Sequence, residues 1–418
     1  IDYVYYHDME LRSINQDRSG DGNDFTIDLF NSGLHWANFS NLLFTDNGGW
    51  FARGAGPNSG PDEGPLRWQN ITRTTHGCDF SQCGSAAGWP GFKIWGYISG
   101  IEILDSIWDA NVAAWEPNPS GGHGAQFVVV AQCSQDWAIR NNEIIDASVV
   151  LTIQPTSAGF CDNGDARPVE DVVFDRNIAR NTYDQWGFGN AGVQFLRSAS
   201  GAGEGDVAGE TVATVEITNN FLSTTGVPWE SCIWALAGNG VASPPGEIVV
   251  ANNTCSGGIR RWAAISVGEV DGLGDPNFPQ QNLTIKNNIV TDLGADQRNV
   301  QFTYSPSGLA MDANVYDPAG TWEWTFGGET NLGTWRFRSG ADSDSATCLP
   351  QFENATGGDF HLRLTDTCAR GFGEELGGLL DDDVDGDPRV LDGAWDVGAD
   401  ELSVIFADGF ESGNTAAW

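Results

Sequence analysis

A repeated strand pattern in the middle of the chain constrains the fold more than any other feature of the sequence. Six segments alternate apolar residues, reach a polar pair that is usually Asn-Asn, and continue with a second short apolar run. These segments are 101–108, 137–145, 171–179, 214–222, 247–255 and 283–290, and their aligned polar positions are Ser106, Asn142, Asn177, Asn220, Asn253 and Asn288. Because the aligned positions recur every 33 to 43 residues, the pattern predicts a solenoid in which each repeat is one coil.

A further strand precedes most of these segments and alternates with a period near two, as a half-buried strand does. These strands are 92–98, 126–132, 149–154, 193–197, 232–236, 261–267 and 300–304. Three short strands per coil predict an all-β parallel β-solenoid, whose coils must stack to bury their apolar side chains. The repeated asparagines fit a structural role, because asparagine at a turn can hydrogen-bond the backbone and tolerates left-handed torsions.

The C-terminal part carries motifs of a different kind. They are 312–316 (DANVY), 331–335 (NLGTW), 349–352 (LPQF), 358–362 (GDFHL), 385–389 (DGDPR) and 395–401 (WDVGADE). Together with the repeats, they resemble the right-handed parallel β-helix proteins of the bacterial secretome, which include many polysaccharide lyases and some glycoside hydrolases. The segment 406–413 (FADGFESG) is similar to a motif that ends many secreted proteobacterial proteins.

This resemblance implies a fold, a domain organisation and a location. The fold is an all-β, right-handed parallel β-helix with three short strands per coil. It would occupy one domain over 1–401, with closing coils in 300–401, followed by a C-terminal tail at 402–418. The protein is then expected to be bacterial, and secreted or held at the cell surface.

The charge of the chain excludes several partners. It has 57 acidic residues against 20 lysines and arginines, a formal net charge of −37, which repels nucleic-acid phosphates and anionic lipid. No run approaches the roughly 18 apolar residues of a membrane-spanning helix. Phosphate-loop, Gly-x-Ser-x-Gly and His-Glu-x-x-His motifs are also lacking, so we expect no nucleic-acid partner, no membrane span and no organic cofactor.

The chain has 8 cysteines, without a Cys-x-x-Cys motif and without a histidine pair at zinc-binding spacing. This pattern favours disulfides in an oxidising, extracytoplasmic environment. Stacking of coils predicts that Cys133 bonds to Cys161. Spacing suggests the remaining pairs, which are Cys232 with Cys255, Cys348 with Cys368, and Cys78 with Cys83.

Long insertions predict a groove along one strand face. They fall at one corner of successive coils in 155–170, 198–213, 237–246 and 268–281, and at the opposite corner in 181–190, 223–231 and 292–299. Stacked insertions of this kind usually serve a function. If Phe92, Ile94 and Ile98 point inward, the groove floor consists of the alternate residues, which are Lys93, Trp95, Tyr97, Gln126, Thr152, Gln154, Gln194, Trp234, Trp262 and Ser266.

Aromatic faces beside amides and hydroxyls suit a sugar chain, because its C–H faces stack on rings and its hydroxyls need hydrogen-bond partners. We therefore predict that the protein binds a polysaccharide in the groove. The predicted substrate-binding residues are Trp95, Tyr97, Trp186, Gln194, Trp234, Arg260 and Trp262.

Two reactions could take place on this floor, elimination by a lyase or hydrolysis. We favour the lyase reaction slightly, because arginines and aromatic residues outnumber acidic residues near the floor. A lyase neutralises a uronate carboxylate and removes the adjacent proton. Arg260, Arg261 or a calcium ion could neutralise the carboxylate, and Tyr183, Lys93 or His123 could take the proton. A hydrolase needs two carboxylates, roughly 5 to 9.5 Å apart, and Asp184 and Glu230 are the nearest candidates.

Two acidic stretches have the oxygen spacing of a calcium loop. The first consists of Asp17, Ser19, Asp21, Asn23 and Asp28, and the second of Asp381, Asp383, Asp385, Gly386 and Asp392. A calcium ion at either place would stabilise a turn.

A non-catalytic solenoid is the alternative function. Residues 3–11 and 42–47 have the pattern of coils, and the sequence before them shows no capping helix. An open coil end exposes unpaired backbone groups and favours end-to-end self-association. The protein could then be a surface adhesin, a carbohydrate-binding protein or a filament subunit.

Overall fold

In the computed structural model of the chain, the described residues are 4–12, 25–28, 37–45, 50–55, 65–74, 91–95, 98–110, 126–130, 134–153, 170–182, 191–195, 214–224, 229–235, 247–260, 262–268, 282–303, 306, 308–325, 327–329, 331–376, 380–389 and 394–402. Strands dominate these ranges, and the one α-helix within them lies near the C-terminal end of the coils.

Strands β1 to β15 build the first coils. They are β1 (Val4–Arg12), β2 (Phe25–Asp28), β3 (Ala37–Thr45), β4 (Trp50–Ala55), β5 (Leu66–Thr74), β6 (Phe92–Trp95), β7 (Ile98–Leu104), β8 (Ile107–Asp109), β9 (Gln126–Val130), β10 (Ser134–Arg140), β11 (Glu143–Ile145), β12 (Val149–Ile153), β13 (Glu170–Asp175), β14 (Ile178–Thr182) and β15 (Ala191–Phe195).

The later coils and the segment that follows them contain the remaining elements. They are β16 (Thr214–Thr218), β17 (Phe221–Thr224), β18 (Ser231–Ala235), β19 (Glu247–Ala251), β20 (Thr254–Ser256), β21 (Ile265–Val267), β22 (Asn282–Lys286), β23 (Ile289–Thr291), β24 (Arg298–Phe302), β25 (Leu309–Asp312), β26 (Val315–Tyr316), β27 (Thr321–Trp324), β28 (Gly327–Glu329), α1 (Leu332–Ser339), β29 (Ala346–Thr347), β30 (Phe352–Asn354), a 3₁₀ turn (Ala355–Gly357) and β31 (Asp359–Leu362).

Equivalent strands of successive coils pair in parallel and in register. Strand β16 lies between β13 and β19, so that Val172, Val215 and Ile248 are successive partners. Within the described residues this stacking produces a first sheet of 18 strands and a second sheet of 11 strands. The chain is therefore an all-β parallel β-helix with three short strands per coil from β7 onward, as the repeat predicts.

The interior between the sheets is apolar because alternate side chains of each strand point inward. In the first coils it is aromatic: Phe39 stacks on Trp68 with ring centroids 5.5 Å apart, and Trp68 meets Phe92 edge-on at 5.4 Å. At the other end, Trp335 of α1 is fully buried and packs 5.5 Å from the ring of Trp324. Helix α1 therefore covers the interior where β27 ends.

The predicted asparagine ladder is present and buried. Each Nδ2 donates to Oδ1 of the next ladder residue at 2.9 to 3.1 Å. The ladder consists of Asn142, Asn177, Asn220, Asn253, Asn288 and Asn314, and Ser106 and Ser345 extend it at its two ends.

A neighbouring residue, and not the ladder asparagine, adopts the left-handed torsions at this turn. Examples are Asn141, Asn219 and Asn252, whose φ values are 57°, 55° and 53°. The two asparagines of each pair thus have different tasks. The first permits the turn, since asparagine tolerates positive φ better than most residues, and the second hydrogen-bonds the adjacent coils.

Two of the predicted disulfides are confirmed. Cys232–Cys255 connects β18 to β20 of the next coil inside the core, and Cys348–Cys368 lies beyond the last coil. The predicted pairs Cys133–Cys161 and Cys78–Cys83 lie outside the described residues.

The segment 348–402, named the lateral segment here, packs on the outer face of the first sheet. Coil stacking extends as far as β29, and β30 and β31 then form an antiparallel hairpin. A second apolar core joins Phe221, Ile289 and Val315 of the coils to Phe360 and Val397 of the lateral segment. The predicted closing coils thus end near Thr347, and residues 403–418 of the predicted tail lie outside the described residues.

Among the residues that the structure describes, no helix has the length and apolar character needed to cross a membrane.

Candidate functional site

One register position runs through the strands of the second sheet, and this row of residues is named the outer row here. Register links Arg53, Lys93, Val129, Thr152, Gln194, Trp234, Ser266, Gln301 and Glu323 from strand to strand. The residues on either side of Thr152 and Gln194 belong to the interior core. At Thr152 and Gln194 the predicted alternation is therefore present, because these two residues lie on the face opposite the core.

Several residues of the predicted groove floor are buried, however. Gln126, Thr152, Gln194 and Ser266 are at most 2% exposed. Thr152 Oγ1 donates to Gln126 Oε1 at 3.0 Å, and Gln194 Nε2 donates to Thr152 Oγ1 at 3.1 Å. The prediction that these four side chains are exposed is wrong, since strand alternation gives the face of a side chain and not its solvent exposure.

Three predicted site residues meet at the corner where β18 and β21 begin. The indole Nε1 of Trp262 donates to Glu230 Oε2 at 2.9 Å, and the backbone N–H of Trp262 donates to the Glu230 carbonyl at 3.1 Å. The backbone N–H of Arg260 donates to the Trp229 carbonyl at 2.8 Å. This corner is repeated from coil to coil because β18 and β21 pair in register.

Glu230, Trp262 and Arg260 differ in their exposure to solvent. Glu230 is 4% exposed, Trp262 is half-buried, and the Arg260 side chain is exposed. A buried acid therefore holds the N–H edge of a half-buried indole, and an exposed arginine lies two residues earlier in the chain.

Two further charged residues extend this corner, and sequence reasoning missed both. Arg298 Nε lies 2.8 Å from Glu323 Oε2, and Arg298 Nη1 donates to the Trp262 carbonyl at 3.4 Å. Glu323 lies on β27, for which no strand was predicted, and Arg298 was assigned to an insertion. We name Glu230, Arg260, Trp262, Arg298 and Glu323 the Glu230 cluster.

Trp234 lies on the outer row one strand before Ser266. It is half-buried against the core, and its Nε1 donates to the Gly268 carbonyl at 2.8 Å. Trp234 lies on the predicted face of the sheet. Its substrate-binding role stays a prediction.

Of the remaining predicted site residues, Lys93 and Trp95 lie on β6, four strands before β18 in the second sheet, and Asp28 lies on β2. The side chains of these three residues are outside the described part. Wholly outside it are Tyr97, His123, Gln154, Tyr183, Asp184, Trp186, Arg261, Asp17, Ser19, Asp21 and Asn23.

In the second predicted calcium loop, the carboxylate of Asp383 accepts hydrogen bonds from backbone N–H groups. Asp383 Oδ1 accepts hydrogen bonds from the N–H groups of Asp385 and Asp387, at 3.0 and 2.8 Å, and Oδ2 accepts one from Glu401 at 2.9 Å. Asp383 therefore stabilises this turn directly, and calcium binding at this loop stays a prediction. Asp392 lies outside the described residues.

A histidine and aspartate cluster in the lateral segment was not predicted. His361 contacts Asp359 and Asp385, and Asp400 lies nearby. The hydrogen bond to Asp385 raises the pKa of His361 to about 10, and burial raises the pKa of Asp400 to about 7. The sequence signal was weak, because His361 and Asp385 are 24 positions apart and belong to different motifs.

Fold and site together define a parallel β-helix protein with a mixed aromatic and charged corner on its second sheet. Comparison of the sequence with protein-family models and with curated protein sequences gave no match.

Proposed function

We propose that this is a secreted bacterial protein that binds an acidic or sulfated polysaccharide at the Glu230 cluster and cleaves it there. The observation that carries the proposal is half-buried Trp262, whose indole Nε1 donates to buried Glu230, with the exposed side chain of Arg260 two residues earlier in the chain. An indole face stacks on the C–H face of a sugar, and a guanidinium pairs with carboxylate or sulfate in a fork-like geometry.

Local arginines matter because the chain as a whole repels anions. With a net charge of −37, an anionic polymer can approach only where cations are concentrated. Arg260 provides positive charge at this corner, whereas Arg298 is paired with Glu323, and Arg261 follows Arg260 in sequence. Two disulfides among the described residues fit an extracellular location.

Lyase chemistry is favoured over hydrolysis at this place. A hydrolase needs an acid and a second carboxylate that face each other across the scissile bond. In the Glu230 cluster, Glu230 accepts from an indole and Glu323 pairs with Arg298. In the proposed elimination, Arg260 neutralises the uronate carboxylate, and Tyr183 removes the adjacent proton and protonates the leaving glycosidic oxygen as its C–O bond breaks.

Non-catalytic binding is the second candidate function. It is favoured by the burial of Thr152, Gln194 and Ser266, which reduces the number of polar groups that a bound chain can reach. An adhesin or carbohydrate-binding protein would use the Glu230 cluster without turning over its ligand.

Incubation with alginate, pectate, glycosaminoglycans and sulfated algal polymers tests these alternatives. Unsaturated-uronate absorbance with new reducing ends would establish a lyase, and reducing ends alone would establish a hydrolase. Retardation in polymer-containing gels without either signal would establish binding alone. No binding and no cleavage of any polymer would overturn the proposal.

Variants locate the site. Trp262→Ala and Arg260→Ala should each weaken polymer binding roughly tenfold, since one stacking or charge-assisted contact has about that value. Matched controls are Phe337→Ala, whose ring is 88% exposed on α1, and Arg363→Ala, a half-exposed arginine of the lateral segment. Equal losses in variants and controls would place binding elsewhere.

A further inference from the structure

His361 on β31 lies among carboxylates from separate parts of the lateral segment. Its Nδ1 is 2.5 Å from Asp359 Oδ1, and its Nε2 is 2.8 Å from Asp385 Oδ2. Asp400 completes the group. His361, Asp385 and Asp400 each offer one ligand atom, and these three atoms lie within 4.8 Å of one another.

The imidazole ring is held in one orientation. Asp359 contacts Nδ1, and Phe221 of β17 meets the ring edge-on with centroids 5.5 Å apart. A carboxylate on one ring nitrogen of histidine is the usual outer partner of a metal-binding histidine, because it fixes the tautomer and increases the basicity of the other nitrogen. Nε2 of His361 is therefore directed toward Asp385.

Asp400 supplies a second and independent observation. Its residue is 6% exposed, and its hydrogen bond comes from the N–H of Leu362 at 2.6 Å. Buried carboxylates are usually paired with a cation or bound to a metal, since one neutral donor compensates their loss of hydration only in part. A metal ion bound to Asp400 and His361 would place positive charge directly against this carboxylate.

We propose that His361, Asp385 and Asp400 bind a divalent transition-metal ion such as Zn²⁺, with Asp359 as the positioning residue of His361. Imidazole nitrogen with carboxylate oxygen is a common zinc donor set. Tetrahedral ligands about 2.0 to 2.2 Å from one ion are about 3.3 to 3.6 Å apart, so Nε2 and Asp385 Oδ2, which are 2.8 Å apart, would separate slightly to hold the ion.

The ion would take the place of the proton that Nε2 shares with Asp385. Because Asp385 is exposed, water could provide a fourth ligand. The site does not depend on polysaccharide binding, since it lies in the lateral segment and the Glu230 cluster lies on the second sheet.

Isothermal titration of the metal-depleted full chain with Zn²⁺ tests this site. We expect one equivalent to bind, with His361→Ala and Asp400→Asn each weakening the affinity at least tenfold. Asp359→Asn should weaken it roughly 10- to 100-fold. The matched control is His7→Ala, because His7 also contacts an aspartate, Asp8, at 2.8 Å but on an exposed strand.

Circular dichroism first checks that each variant is folded. If His361→Ala does not fold, Asp385→Asn decides, since Asp385 is exposed and its replacement leaves the buried packing unchanged. Loss of binding in the cluster variants with retention in His7→Ala supports the site. Equal binding by wild type and cluster variants, or no uptake of Zn²⁺ at millimolar concentration, overturns it.

Discussion

Arg389 donates a hydrogen bond from Nη2 to Oδ1 of Asn219, 2.7 Å away and 170 positions earlier in the chain. Asn219 is the left-handed residue of its coil turn and also donates to Asp175 Oδ1 at 2.9 Å. Arg389 is 4% exposed and lies 3.5 Å from Glu401. The lateral segment is thus attached to the coils through a buried cation.

We expect Arg389→Met to lower the free energy of unfolding by about 3 to 5 kcal/mol, because it removes the buried cation that faces the buried carboxylate of Glu401. Urea unfolding followed by tryptophan fluorescence measures this change. The control Arg363→Ala removes a half-exposed arginine 3.8 Å from Glu353, and should cost less than about 1 kcal/mol. A loss of less than about 1 kcal/mol in Arg389→Met as well would contradict the conclusion that Arg389 attaches the lateral segment to the coils.

Replacing one asparagine of the ladder should lower the stability of the protein substantially. Asn220 accepts from the backbone N–H of Asn177 at 2.9 Å and donates to the Phe174 carbonyl at 3.0 Å. We expect Asn220→Ala to destabilise the protein by about 2 to 4 kcal/mol, since buried backbone groups lose their partners. The control is Asn282→Ala on an exposed strand position, which should change the same unfolding midpoint little. Equal midpoints for the two variants would show that the ladder does not stabilise the coils.

Glu216 on β16 should reduce stability at neutral pH. Burial raises its pKa, as do Asp175, Glu247 and Asp171, while Arg140 lowers it. An acid whose folded-state pKa is raised destabilises the fold once pH exceeds its unfolded value, which is near 4.5. Glu216→Gln should therefore unfold at higher urea than wild type at pH 7 and at the same urea at pH 4.

The control for this pH dependence is Glu353→Gln, whose carboxylate is 56% exposed. It should change the midpoint little at either pH. If Glu216→Gln lowered the midpoint at pH 7, the carboxylate would be stabilising and the assigned sign would be wrong.

The two described disulfides should differ in their sensitivity to reductant. Cys232 and Cys255 are each 2% exposed within the interior core, whereas Cys368 is 9% exposed and Cys348 is partly exposed. Reductant reaches accessible sulfur first, so Cys348–Cys368 should be reduced before Cys232–Cys255. Alkylation of the native protein at increasing dithiothreitol, followed by peptide mass spectrometry, gives the order, and the reverse order would contradict the described core.

The coils were predictable because two periodic signals agree. Alternation placed Ile233 and Val193 inside, and the recurring asparagines predicted which residues align between coils. Each signal repeats many times, so one irregular coil does not obscure it. The Cys232–Cys255 bond, by contrast, was suggested by spacing alone.

The lateral segment and the details of the site were not predictable in this way. The segment has no period, and its contacts join distant residues such as Arg389 and Asn219. Alternation placed Gln194 on the outer face but could not show that its side chain is buried. The Arg298–Glu323 pair depends on a strand, β27, that lacked the repeat pattern.

The lateral segment contacts three successive coil turns, at Asn219, Thr254 and Asn287. A ribosome adds all of these turns before it adds residues 374–401. Any coils that stack during synthesis therefore do so with this face still uncovered, and the contacts of the lateral segment form last. A nascent chain that stalls before Arg389 would expose the turn at Asn219 without the buried arginine that later contacts it.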